Sequence, residues 1–189
     1  MTPLDAALLV RYRRMLGSQR SNTSSALAIM WDRLGKYDEA DVAAFVRTTA
    51  PLLNGAKAAT VATSTAFNSQ LLGVAPPSVA AEAVATVADM RTPFTATWHA
   101  FSQGRPYEEA VAAGRSSAVA TSETFLQSTA RQTGDAVAAA TGRDVRWQRV
   151  AEPNACEWCQ ERDGGIYFSS ADGDYGHTNC HCDVIPFEE

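Results

Sequence analysis

Near its C-terminal end the 189-residue sequence reads Cys156-Glu157-Trp158-Cys159 and, after seventeen further residues, His177-Thr178-Asn179-Cys180-His181-Cys182. All four cysteines of the chain lie in these two runs, and the first 155 residues contain none. A Cys-x-x-Cys turn directs two thiolates at one point, and a second cluster about twenty residues later can supply the other ligands of a tetrahedral zinc site. The spacing therefore predicts a structural zinc site in this part of the chain.

The zinc ligands are not fixed by spacing alone, because more donors are present than the four that zinc binds. The candidates are Cys156, Cys159, His177, Cys180 and Cys182, with His181 as a further competitor. In an extended segment Cys180 and Cys182 would point in opposite directions, which favours Cys156, Cys159, His177 and one of those two. The alternative set is the four cysteines. Two disulfides and four unligated thiols are the other interpretations.

Zinc is favoured over disulfides by the size of the stabilisation that each provides. A structural zinc contributes on the order of 10–16 kcal/mol of apparent binding energy, whereas a disulfide contributes roughly 2–4 kcal/mol. Disulfides also need an oxidising compartment, and no secretory signal is recognisable at the start of the sequence. We therefore predict Zn²⁺ with a structural role.

The sequence around the cysteines predicts short strands. Asp144 to Val150 alternates in polarity, Ile166-Tyr167-Phe168 follows the turn Asp163-Gly164-Gly165, and Asp183 to Phe187 forms a third candidate that Pro186 restricts to a sheet edge. A unit of about 47 residues with so few apolar side chains usually needs disulfides or a structural metal ion to be stable. We predict a small α+β, zinc-knuckle-like module over residues 143–189.

The preceding part of the chain is rich in alanine: 34 residues are Ala, and only three of them follow Gly142. Alanine is the best helix former, so residues 1–142 are predicted to be a helical, partner-binding region of a mainly α protein. The apolar periodicity indicates five to seven helices.

Glycine, proline and N-capping residues set the expected helix boundaries. A first helix is expected to stop at Gly17, a polar loop to cover 18–25, and a short helix to run from Ala26 to Leu34. Asp38 is the predicted N-cap of a helix that Pro51 should kink or split.

Further helices are expected from Lys57 to Leu72, from Ser78 to Met90 and from Thr92-Pro93 to Gly104. A last helix is expected to open at Pro106 and to continue past Gly114 to Gly142.

The charge is unevenly distributed. The chain carries a formal charge of −5, but residues 1–36 have six basic side chains against two acidic ones, and residues 151–189 have one Arg against nine acids. The overall balance argues against a protein that coats phosphate backbones. No run approaches the roughly 20 apolar residues of a membrane helix, so we expect a soluble, unexported chain without membrane contact.

The sequence lacks residues or sequence context that three kinds of enzyme would need. A zinc deaminase would need His-x-Glu upstream of its cysteines, and the only upstream histidine, His99, is followed by Ala100 and Phe101. A thioredoxin-type redox pair would need a βαβ pattern around the Cys-x-x-Cys, but turn and strand sequence flanks it here. A serine protease base would have to be His99 or a member of the metal cluster. We therefore expect a protein that is not an enzyme.

The C-terminal residues resemble a known family. The stretches 146–150, 156–159, 163–167 and 177–182 resemble the C-terminal signature of phage Mu F-like minor head proteins, in the version found in phages of actinobacteria. On this resemblance the family's cysteines and histidine correspond to Cys156, Cys159, His177, Cys180 and Cys182. Before residue 143 the likeness is looser, and consists of Ala-rich helices with a proline inside one of them.

The resemblance implies a structural minor capsid (head morphogenesis) protein of a tailed phage, assembled in the host cytoplasm and located inside the head near the portal. The implied partners are the portal and the major capsid or scaffold proteins, and the basic N-terminal segment is expected to contact packaged DNA. The alternative function is a capsid maturation protease or a zinc-dependent hydrolase, although the sequence offers no pair of nucleophile and base for proteolysis.

Overall fold

The computed structural model describes residues 3–79, 87–152, 154–173 and 182–187. In these residues the chain is mainly helical, with a small antiparallel sheet towards its C-terminal end, as the sequence predicts. The elements in chain order are α1 (Pro3–Asp32), α2 (Glu39–Leu71), α3 (Val87–Ser102), α4 (Tyr107–Thr141), β1 (Arg146–Val150), α5 (Glu157–Gln160), β2 (Ile166–Tyr167), α6 (Ser170–Gly173) and β3 (Asp183–Phe187).

Helix α1 is longer than its sequence predicts. It continues through Gly17 and through the expected loop at 18–25, so the stop at Gly17 was wrong. Leu16, Thr23 and Leu27 are buried along this stretch, and the Thr23 hydroxyl donates to the carbonyl of Gln19 at 2.8 Å. Because one glycine costs a helix only about 1 kcal/mol, burial of this face outweighs the local signal.

Helix α2 begins as predicted. The Asp38 carboxylate accepts hydrogen bonds from the backbone N–H groups of Ala40 and Asp41, at 3.0 and 3.1 Å, which makes it the N-cap. The helix is not split at Pro51 but continues to Leu71. The proline is exposed, while Phe45 and Leu53 on either side of it are buried.

Helix α3 does not start at Thr92-Pro93, because Pro93 lies inside it. Met90 before the proline and Phe94 after it are both buried in one core, which holds the two halves of the helix together. The predicted helix from Ser78 to Met90 falls largely on residues 80–86, outside the described residues. Helix α4 passes through Gly114 as expected and stops before Gly142, whose φ of 65° is left-handed.

The described residues form two compact units. One consists of residues within 1–15, 60–80 and 127–189, and the other of residues within 16–59 and 81–126. The boundary near residue 143 coincides with the change from helix α4 to strand β1. The division into a region 1–142 and a module 143–189 stays a prediction about which parts fold independently.

The unit of residues 16–59 and 81–126 has an aromatic core. Trp31 lies with its ring centroid 4.8 Å from that of Phe94 and 5.4 Å from that of Phe45, and its indole N–H donates to the carbonyl of Val111 at 3.1 Å. Helix α4 comes so close here that a Cβ on Gly114 would lie 2.3 Å from the Trp31 ring. Glycine is therefore required at this crossing.

The other unit contains the sheet, with strand order β2-β1-β3 and antiparallel pairing throughout. Strand β3 lies at an edge, as predicted from Pro186, which stands opposite Trp147. Trp147 packs with Val137 of α4 and Leu72 in a buried cluster. None of the helices in the described part of the chain is both long and apolar enough to span a bilayer.

Candidate metal centre

The first pair of cysteines forms the opening turn of helix α5. Cys156 occupies the N-cap position, and its carbonyl accepts the backbone N–H groups of Cys159 and Gln160 at 2.9 and 3.0 Å. Cys156 is exposed, whereas Cys159 is only 1% exposed. The Cys-x-x-Cys sequence therefore makes the tight turn that its spacing predicts, with the second sulfur turned into the protein.

Cys182 lies against Cys159 although 22 residues separate them in the sequence. Both are buried in one cluster, against which Ala151, Ala155 and Trp158 pack. Cys182 immediately precedes β3, so the pairing of β3 with β1 brings it there, and its carbonyl accepts the side-chain amide of Gln127 at 3.4 Å. The sheet thus joins the two cysteine-bearing segments at one end.

The predicted ligand set is described only in part. Cys156, Cys159 and Cys182 are placed, while His177, Cys180 and the competitor His181 fall outside the described residues. Within the residues that the structure describes, no three His, Cys, Asp or Glu side chains come together in a group able to hold a metal ion. The zinc site stays a prediction.

The chemistry of the described donors fits zinc. Zinc prefers sulfur ligands in closed structural sites, and Cys159 and Cys182 present two such atoms inside an apolar cluster. In a complete four-ligand site these two residues would hold the ion together with two further donors from among Cys156, His177 and Cys180. A bound zinc would supply a structural link between the two segments.

Arginine and tryptophan surround the cysteine cluster. Arg149 of β1 is 1% exposed, and it donates from Nη2 to the Cys159 sulfur at 3.4 Å and from Nη1 to the carbonyl of Gly173 at 2.6 Å. Trp158 lies beside two guanidinium groups, with 5.4 Å from its ring centroid to Arg149 Cζ and 4.0 Å to Arg162 Cζ.

Sequence reasoning missed Arg149, although a signal was present. Val145, Trp147 and Arg149 alternate with less buried neighbours, so the period of two already assigns Arg149 to the buried face. A charged residue on such a face is expected to have a specific partner.

Arg13 was missed as well. From α1 it donates to the Asp183 carboxylate at 2.7 Å and to the carbonyls of Val150 and Ala151 at 2.7 and 3.1 Å. These groups lie where β1 ends and β3 begins, beside Cys182. No local pattern could reveal partners 137 to 170 residues away. One arginine of the basic N-terminal segment is therefore engaged within the protein.

A polar cleft of about 290 Å³ lies on the side of the sheet towards α4, with Asp135, Arg143, Phe168 and Ser170 among its lining residues. The Ser170 hydroxyl donates to the Asp135 carboxylate at 2.8 Å. Burial raises the pKa of Asp135 above its ordinary value, and the hydrogen bond from Ser170 and the charge of Arg131 oppose that rise.

Comparison with known families identifies the class of this protein as a viral gene product. Residues 4–189 match the family model described as VG15 protein, and the chain therefore belongs to the VG15 protein family. The family suggests a phage-encoded protein. Neither a characterised protein nor a solved structure matched this chain.

Proposed function

We propose that this protein is a structural minor capsid (head morphogenesis) protein of a tailed phage, of the Mu F-like type, and that it is not an enzyme. Membership of the VG15 family supports a phage origin, and the resemblance of the C-terminal residues supports the head protein. The observation that carries the proposal is the burial of Cys159 against Cys182, because it joins the two runs on which the resemblance rests.

Zinc is the proposed organiser of the C-terminal module. The described strands have two, five and five residues, and the buried cluster around Trp147 includes Leu72 and Val137 from outside residues 143–189, so the module has little core of its own. An ion bound by Cys159 and Cys182, with two further ligands from among Cys156, His177 and Cys180, would hold both segments in place. Binding energy of this kind, on the order of 10 kcal/mol, becomes folding energy for a small module.

The outer strand β2 offers a surface for a capsid, scaffold or portal protein. Ile166 is 58% exposed and Phe168 is 79% exposed, which is unusual for large apolar side chains of one short segment. Arg146 lies over the Phe168 ring at 4.2 Å from its centroid and holds it at the surface. Aromatic residues with a neighbouring arginine are typical of interface centres.

Packaged DNA is a proposed secondary contact of the N-terminal segment. Arg13 is occupied by Asp183, so DNA would meet the exposed Arg11 and Arg14 on the same helix. The proposed location is the interior of the head near the portal, after assembly in the host cytoplasm.

The test is complementation of a phage that lacks this gene, with particles analysed by protein content and electron microscopy. Phe168→Ser should fold and yet fail to enter heads, whereas Tyr107→Ser, which changes an exposed aromatic residue elsewhere, should be incorporated normally. Cys159→Ala and Cys182→Ala should lose both the module and head assembly.

Two results would contradict the proposal. Normal incorporation of Phe168→Ser would remove the β2 surface. Intact particles with an uncleaved major capsid protein in the cysteine variants would instead support a maturation protease.

A further inference from the structure

The backbone of Ile166 in strand β2 faces away from the rest of the sheet. The Arg149 N–H of β1 donates to the carbonyl of Gly165 at 2.9 Å, and the next pair along the ladder is Gln148 opposite Ile166. Because hydrogen-bonded and non-hydrogen-bonded pairs alternate in an antiparallel ladder, the Gln148–Ile166 pair exchanges no bonds. The N–H and C=O groups of Ile166 therefore point outwards, at one edge of the described sheet.

The opposite edge of the sheet is closed by a proline. By the same alternation the backbone of Trp147 faces β2, so its partner Pro186 in β3 directs its nitrogen outwards. A proline nitrogen carries no hydrogen and cannot bond to a further strand. Within the described residues, β2 is therefore the edge at which the sheet can be extended.

The segment around β2 is complementary to itself. Ile166 and Phe168 project from one face of the sheet and are 58% and 79% exposed. Gly164 leaves open space on that face, because among the described residues a Cβ placed on it would meet only Gln148 Nε2, at 3.9 Å. If two copies pair antiparallel about Ile166, each Phe168 lies opposite the Gly164 of the other copy. An aromatic ring that covers a glycine across strands stabilises a sheet.

We propose that two copies of this chain associate through β2, with Ile166 at a two-fold axis, so that two three-stranded sheets become one. The N–H and C=O groups of each Ile166 bond to those of the other copy. The inference goes beyond the proposed function, since the pairing requires no other head protein. It uses the backbone edge and leaves Ile166 and Phe168 of both copies side by side on one face, where a capsid, scaffold or portal protein would bind.

Two-fold pairing limits the assembly to a dimer. Each edge of β2 meets its own equivalent, and Pro186 closes both ends of the joined sheet against further strands. The two modules carry like charge, because residues 151–189 have one Arg against nine acids. Dimerisation should therefore become tighter when added salt screens this repulsion.

The experiment is analytical ultracentrifugation of the purified full-length protein over a range of concentrations under reducing conditions, together with hydrogen–deuterium exchange of the backbone. The wild type should pass from monomer to dimer as its concentration rises, and the Ile166 amide should become protected in parallel. Ile166→Pro removes the outward N–H and should abolish the dimer. Ile166→Thr keeps this N–H and should still dimerise.

A second pair of variants tests the side chains. Phe168→Ser should weaken dimerisation about 2- to 30-fold, because the symmetric dimer loses two cross-strand contacts of ordinary strength. Tyr107→Ser is the matched control, since Tyr107 is an aromatic residue elsewhere in the chain that is 56% exposed, and it should dimerise like the wild type. Circular dichroism of each variant checks that it is folded.

Each outcome decides for or against the pairing. A wild type that stays monomeric at every concentration overturns the inference, leaves the edge of β2 to another protein and does not affect the proposed function. A dimer that persists in both Ile166→Pro and Phe168→Ser, or assembly beyond the dimer, also overturns it. If Ile166→Pro does not fold, the other measurements decide: unchanged dimerisation of Phe168→Ser with a rapidly exchanging Ile166 amide in the wild type would contradict the pairing.

Discussion

The contact of Arg13 with the sheet makes a quantitative prediction. Arg13→Met removes an ion pair with Asp183 and two bonds to backbone carbonyls. The two charged side chains are 21% and 10% exposed, so the pair lies between an exposed one, worth about 0–1 kcal/mol, and a buried one, whose disruption costs about 3–5 kcal/mol. With the carbonyl contacts added, we expect a loss of about 2–4 kcal/mol.

The measurement is urea unfolding followed by tryptophan fluorescence, with Trp147 and Trp158 as reporters near the contact. Arg14→Met is the matched control, because Arg14 is the exposed neighbour on the same helix, and it should change stability by less than about 0.5 kcal/mol. A double-mutant cycle with Asp183→Asn should give a coupling energy of about 1–3 kcal/mol. Equal stability of the Arg13 and Arg14 variants would refute the stabilising contact between Arg13 of α1 and the ends of β1 and β3.

Three further predictions concern single residues. Gly114→Ala should destabilise the protein by about 1–3 kcal/mol, because its new Cβ would overlap the Trp31 ring. Gly55→Ala, where nothing lies within 4 Å of the new Cβ, should instead stabilise α2 by up to about 1 kcal/mol. Thermal unfolding measures both changes, and a Gly114→Ala variant more stable than the wild type would disprove the close approach of α4 to Trp31. Asp38→Ala should cost about 0.5–2 kcal/mol in the same assay, and an unchanged midpoint would argue against its role as N-cap. The raised pKa of Asp135 contributes stability that is fully present below the unfolded-state pKa and is lost as pH rises through the folded-state pKa. From acid to neutral pH the free energy of unfolding should therefore decline less in Asp135→Asn than in the wild type. Identical pH profiles of the two proteins would contradict this prediction.

The strands were predictable because their signals are local. Alternation over 144–150 predicted β1, and Pro186 predicted that β3 lies at an edge, since a proline cannot donate to a second neighbour. The same locality explains the errors in the helices. Gly17, Pro51 and Pro93 are genuine helix-weakening residues, yet buried side chains on both sides of each keep the helix continuous.

The site was predictable to the level of the cysteine spacing. The turn from Cys156 to Cys159 involves only four consecutive residues, so it could be predicted from the sequence. The approach of Cys182 to Cys159 depends on the register of β3 against β1, and Arg13 reaches the sheet from the other end of the chain. Such contacts depend on the assembled fold and leave no local pattern.

The central claim is that a metal ion joins the two cysteine-bearing segments. Its most direct test is elemental analysis of the purified full-length protein, combined with mass spectrometry of thiol alkylation before and after a strong chelator. We expect one zinc per chain, with Cys159 and Cys182 protected until the zinc is removed. Protein without zinc, whose cysteines are alkylated at once or are joined as disulfides, would contradict it.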